Sequence, residues 1–472
     1  MTENFEDVSV VEPPKLASAP DPAQHKKNLL GVPGATALII GGVIGTGVFS
    51  MPGEIAQYGM LAIVGLLMAT VGAIGVGLLF SKLSSIIPRA GGPYAYPDEV
   101  FGGFAGYTSA FSYWMTTAIG NAGIVVSWVL YVDVLFGWNS ENKIRDFGIA
   151  LFGLWLPVAI NFIGLNRVRQ FQIVTVVIKV MPLVFIGTVG LVVALSRNEF
   201  PAWNPSGETP WAALSAVAAV VLFIFLGVED ASSAAGRVKN PKQNVPKATV
   251  FGTLTVSALY VASTIAIFGL VSTSELTDNG TPFATAMNSI THTTWAGQVM
   301  AIFAVVSGIG ALNGLTLLVA EVPRAAAADG LFPAPFMRIT KRDAPWFGLL
   351  LSAAIATCLV AIGSIGKSGL ETFNLMVLLT GITSAVPYFL SAMVLVYLLT
   401  VKRRKIHPGM FARDMLIAIL AGAFSIWCIY GSGAEAVEYA FLLLLVGYIM
   451  YAVFMGRTRR KAESSNSLSQ SM

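Results

Sequence analysis

The chain has 472 residues, of which 55% are hydrophobic and only 11% charged, and its mean hydropathy is +0.72. A soluble protein carries roughly 25% charged residues, so this composition cannot coat a water-facing globule. Soluble enzyme, nucleic-acid binder and disulfide-stapled secreted domain are thereby excluded, and apolar runs of ~20 residues, enough to cross a ~30 Å hydrocarbon core, predict an all-α, polytopic membrane protein in a lipid bilayer.

Residues 1–30 are polar, Pro-containing and of mixed charge, with no short apolar stretch before a small-residue cleavage site. They read as a cytosolic tail and not as a signal peptide. Twelve apolar segments follow, over 34–57, 60–83, 104–136, 148–166, 172–196, 212–235, 248–272, 296–323, 345–363, 371–401, 411–430 and 435–455. Segments 3 and 10 are long enough to need tilt or a projecting end. Residues 31–401 form the core, 402–456 carry the last two spans, and 457–472 make a Ser-rich cytosolic tail. Cys358 and Cys428 lie inside apolar runs, and His25, His292 and His407 are far apart, so neither a disulfide framework nor a metal site is implied.

Charge placement tests the count. Of the 29 lysines and arginines, only Lys143, Arg145, Arg197 and Lys367 fall outside if the N-terminus is inside, and only Lys179 falls in the interior of a span, away from its ends. That bias follows the positive-inside rule and puts both termini in the cytoplasm. The run Lys402 to Lys405 is most simply a topology anchor.

Segment 1 reads GATALIIGGVIGTGVFSMP, with Gly41, Gly42, Gly45 and Gly47 mid-span, where each costs ~1 kcal/mol of helix stability relative to Ala. Close packing through small residues would also explain one such cluster. Segment 6 decides between the readings, because FIFLGVEDASSAAG sets Gly227 beside Glu229 and Asp230 partway along a span. Gly-interrupted segments at corresponding positions of two halves point to a transporter site. Broken helices leave amides that favour a carboxylate and carbonyls that favour an ammonium. Together they describe an α-amino acid.

The stretches GVIGTGVFSMP (Gly42 to Pro52), GGPYAY (Gly91 to Tyr96), SYWMTTAIGN (Ser112 to Asn121), GVEDASSAAGRVKNPKQNVPKAT (Gly227 to Thr249) and RAAAADGLFP (Arg324 to Pro333) resemble the amino acid–polyamine–organocation superfamily. Within it the chain is similar to the basic amino acid/polyamine antiporters, the arginine:agmatine exchangers among them. The resemblance runs in order over about residues 30–455. It implies the five-plus-five inverted-repeat transporter fold with broken spans 1 and 6, two appended spans, and often a homodimer.

By the same resemblance, Thr46 and Gly47 meet the substrate carboxylate, and carbonyls near Val43, Phe223 and Leu226 take the α-ammonium. Phe223 stands where a tryptophan usually closes over the substrate. Tyr113 and Tyr94 match gate tyrosines, Asn121 matches a ligand for the distal cation, and Glu229 matches a glutamate that couples proton state or substrate charge to opening. Ile44, Gly45, Thr116, Thr117 and Phe225 complete the implied site. Two departures matter. Leu315 replaces a tryptophan that faces the guanidinium, removing a cation–π contact worth ~0.5–2 kcal/mol. Lys179, in VVIKVMP, is instead similar to the span-5 lysine of proton-coupled, sodium-independent relatives.

Considered singly, Glu229 and Lys179 are ionisable groups within spans and therefore functional candidates, although Glu229 could cap a half-helix and Lys179 could snorkel. Asn121 could be inter-helix glue. One of Tyr113 and Trp114 is expected in the interfacial aromatic belt, and Asp133, near the outer end of segment 3, is expected to be interfacial. GGPYAY reads as a re-entrant or gating loop. The expected function is exchange of a basic amino acid for a related amine or amino acid, without cofactor, metal or nucleic acid. The sequence leaves arginine, ornithine, lysine, agmatine, putrescine and cadaverine open as substrates. The alternative is a proton-coupled, sodium-independent symporter of neutral or broad-range amino acids. A channel is disfavoured by the asymmetric single chain, and an enzyme by the lack of a catalytic constellation.

Overall fold

The computed structural model describes residues 30–45, 47–89, 91–138, 142–163, 177–229, 238–278, 280–340, 342–401 and 408–470. Among them, ten helices are long and apolar enough to cross a membrane. They are Leu61–Ile86 (span 2), Gly103–Phe136 (span 3), Lys143–Phe162 (span 4), Val177–Arg197 (span 5) and Pro241–Leu270 (span 7), then Thr294–Ala328 (span 8), Trp346–Gly363 (span 9), Gly369–Thr400 (span 10), Pro408–Gly431 (span 11) and Gly433–Phe454 (span 12). Span 1 is a bent pair, Val32–Val43 and Gly47–Tyr58, whose halves meet at 61°, and span 6 begins with the shorter apolar helix Pro210–Ile224. Each predicted segment coincides with one of these twelve. The second half of segment 6, with Asp230, lies outside the described residues, as do residues 1–29 and Lys402 to Lys405.

Span 3 forms the axis of the bundle. Its most apolar window is 83% buried, against 11% for span 12 at the periphery. It packs most extensively on spans 10 and 8, and hydroxyls knit the seam: Ser112 Oγ donates to the Thr383 carbonyl at 2.7 Å and Thr116 Oγ1 to Thr383 Oγ1 at 3.1 Å. Such inter-helix bonds contribute ~0.6–2 kcal/mol each. At 1.5 Å per residue the 34-residue span 3 is ~50 Å long, so it tilts or projects, as its segment length predicts.

Two interfacial expectations are corrected. Tyr113 and Trp114 are both buried, at 4% and 1% exposure, and Trp114 Nε1 donates to Ser352 Oγ on span 9 at 2.8 Å. Asp133 is also buried, and Arg145 at the start of span 4 pairs with it at 3.0 Å.

The link between spans 2 and 3 is ordered around charge. Gly92–Tyr94 forms one 3₁₀ turn and Ala95–Phe101 a short helix. Arg89 lies 2.9 Å from Asp98 and 3.1 Å from Asp329 at the end of span 8, and Tyr94 Oη donates to the same Asp329 at 3.0 Å. Burial first, and the neighbouring Asp329 second, push the Tyr94 phenol well above its ordinary range, so it remains a neutral donor.

Candidate functional site

The two helix breaks form where the glycines weaken the backbone. The first half of span 1 stops at Val43, and Ile44 is extended at φ −76°, ψ 98°. Span 6 starts cleanly, with Pro210 in the first turn and Thr209 Oγ1 accepting from the Ala212 amide. It ends at Ile224, after which Phe225, Leu226 and Val228 donate to carbonyls only three residues back. Gly227 then takes φ +101°, a conformation that L side chains resist. It also lies against Gly42: a Cβ there would sit 3.1 Å from the Gly42 carbonyl carbon. The two breaks therefore touch, backbone to backbone.

Beside them lies Glu229, 3% exposed. Its Oε2 accepts from the Gly227 amide at 3.0 Å and its Oε1 from Tyr113 Oη at 3.1 Å, while Tyr388 on span 10 faces the same carboxyl. The span-6 break is thus tied to span 3 through one ionisable group. Tyr260 on span 7 reaches the other break, its hydroxyl 3.4 Å from the freed Val43 carbonyl.

Around the breaks is a cavity of about 440 Å³. Span 1 contributes Val43, Ile44, Gly45 and Gly47 to its wall, span 3 contributes Tyr113, Thr116 and Thr117, and span 6 contributes Phe223, Leu226 and Glu229. Lys179 enters from span 5 and Leu315 from span 8. Lys179 is 3% exposed, so it does not snorkel to an interface. A larger groove of about 740 Å³ on the outer side of span 5 is apolar apart from Thr188 and suits lipid chains, not a polar solute.

Three predicted site residues lie elsewhere. Phe225 points away from the cavity and packs its ring 6.0 Å from Tyr260. Asn121 is buried beside the cavity without lining it, and its Oδ1 has no hydrogen-bond partner among the described residues. Tyr94 sits at the far end of span 8, in the Arg89–Asp329 network. Thr46 lies outside the described residues. Sequence reasoning missed Tyr260, Tyr388 and Glu321, a further lining residue of span 8; a lone polar residue in an apolar span was the available signal.

On the side away from Glu321, span 1 is sealed. Ser50 bonds to Ser127 Oγ at 2.7 Å and to the Gly280 carbonyl at 2.8 Å. Tyr131 Oη donates to the Phe49 carbonyl, and Phe49 packs edge-on against Phe283.

Residues 30–457 match the sequence profile of a family described as amino acid permease. The chain is 30% identical over 429 residues to the putrescine transporter PotE of Haemophilus influenzae, covering 90% of this chain and 97% of that protein. It is 27% identical over 428 residues to the cadaverine/lysine antiporter of Escherichia coli K12, covering 90% and 94%. A crystal structure of a manganese transporter from Eremococcus coleocola superposes with a TM-score of 0.53 over 96% of this chain and 100% of that one, at 14% identity, a likeness of fold alone. With its profile matched over nearly the whole chain, this multi-pass membrane protein belongs to the amino acid permease family.

Proposed function

We propose that the protein exchanges a basic amino acid for a related amine by alternating access around the cavity between spans 1, 3, 6 and 8. The observation that carries this reading is the contact of the two broken helices beside Glu229. The amide of Gly47 receives the α-carboxylate, carbonyls of the span-1 and span-6 breaks receive the α-ammonium, and the side-chain amine extends toward Leu315. Because Leu315 offers no aromatic face, primary amines are favoured over guanidinium groups. The names of the relatives, a putrescine transporter and a cadaverine/lysine antiporter, support the same class. The lysine and arginine bias supports a topology with both termini in the cytoplasm, and the membrane is taken to be an inner or plasma membrane.

A thermal-shift screen of purified protein tests this reading. Ornithine, lysine, putrescine and cadaverine stabilise it, arginine and agmatine less, and alanine and glutamate not at all. Stabilisation by alanine alone would overturn it. The second reading, proton-coupled symport of neutral amino acids, is favoured by Lys179 in the cavity wall.

A further inference from the structure

Among the described residues the cavity wall carries three charged side chains, and only two of them lie at the helix breaks or deep in the bundle. Lys179 and Glu229 are each 3% exposed. The third, Glu321, has a side chain 35% exposed and lies toward the end of span 8 that carries Arg324 and Asp329. Span 8 lines the cavity from Gly310 to Glu321, a distance of ~16 Å at 1.5 Å per residue. Glu321 is thus the wall's outermost carboxylate, ~9 Å along the helix from Leu315.

Its surroundings hold the carboxylate in place without consuming it. Glu321 Oε2 accepts from Arg324 Nε at 2.9 Å, an i,i+3 pair whose arginine side chain is 43% exposed. Such an exposed pair contributes little net stability, so an arriving cation displaces the arginine at little cost. The turn that bears both residues is anchored. Pro323 cannot donate to the Val319 carbonyl; Ser352 Oγ does so at 3.4 Å, while accepting from Trp114 Nε1. Spans 3 and 9 therefore fix the helix turn, and only the Arg324 side chain needs to move.

We infer that Glu321 is a cation-receiving subsite at the mouth of the cavity, where it draws the ammonium of an amine or basic amino acid from solution toward the central site, with Arg324 as the displaceable counter-ion. The inference rests on the exchange reading above, and the topology proposed with it makes this mouth the cytoplasmic one.

The two partners of the ion pair separate this role from a structural one. Vesicles of both orientations, right-side-out and everted, are preloaded with unlabelled ornithine and assayed for entry of labelled putrescine. Glu321→Gln raises the KM at the Glu321 face about 2–5-fold, leaves kcat within about twofold and leaves the KM at the opposite face unchanged; added salt narrows the difference. Arg324→Gln does the reverse, lowering or preserving that KM, and Glu321→Asp restores it. If Glu321 only anchors Arg324, breaking the pair from either side gives the same change, and that result overturns the assignment. An unchanged KM in Glu321→Gln, with wild-type exchange intact, overturns it too. Wild-type vesicles that exchange neither compound overturn the exchange reading and this subsite with it.

Discussion

The ring of Phe223 presses on the backbone of Gly47: a methyl group at Gly47 would overlap its Cε1 and lie 3.1 Å from its Cδ1. This contact joins the second half of span 1 to the last helical turn of span 6. It also gives Gly47 a reason to lack a side chain beyond the need for a free amide. Gly47→Ala should displace the ring and lower transport roughly fivefold or more, since overpacking typically costs ~1–3 kcal/mol, and Gly47→Val should abolish binding. Uptake by Gly47→Ala in a Phe223→Ala background should fall much less than in the wild-type background. Equal losses in both backgrounds would mean that the ring is not the obstacle.

Glu229 accepts from the Gly227 amide on span 6 and from the Tyr113 hydroxyl on span 3, so a change in its charge should alter the join between the two spans. Glu229→Gln keeps the shape and should bind substrate nearly normally, while turnover falls or its pH profile flattens between pH 5 and 8. Tyr113→Phe should give a milder form of the same defect. Wild-type exchange rates across that range would remove Glu229 from the coupling step.

Leu315 lines the cavity where an aromatic face would suit a guanidinium. Leu315→Trp should improve competition by agmatine relative to putrescine by roughly three- to thirtyfold, the value of one cation–π contact. An unchanged ratio would show that span 8 does not face the distal amine.

Much of this arrangement could be read from the chain because glycine clusters in the middle of a span have few explanations. Gly41 to Gly47 and Gly227 marked two breaks, and the structure brings them into contact. Which side of a helix faces inward was far less legible. In water a helix shows its buried stripe by contrast with a polar face, but in lipid both faces are apolar. One of Tyr113 and Trp114, together with Asp133, therefore read as interfacial although all three are buried, and Phe225 read as a site residue although it turns toward Tyr260. Tyr388 and Glu321 gave no periodic signal, since each is a single residue whose meaning depends on a partner in another span or on the shape of the cavity.

Lys179 is buried in the cavity wall, where a mid-span ammonium costs ~2.5–3.5 kcal/mol even on the permissive insertion scale. It repays that cost if it occupies the place of a sodium ion among the carbonyls freed at the span-1 break. Transport should then proceed at equal rates in sodium and choline media, and Lys179→Ala should fold yet lose at least tenfold in rate. Strict sodium dependence or a fully active Lys179→Ala would contradict this role.

Exchange itself is tested most directly by counterflow. Proteoliposomes of purified protein, either preloaded with unlabelled ornithine or empty, are placed in labelled putrescine with no ion gradient. The account predicts rapid accumulation of label in the preloaded vesicles and almost none in the empty ones. Equal uptake by both, or uptake that appears only when a proton gradient is imposed, would contradict it.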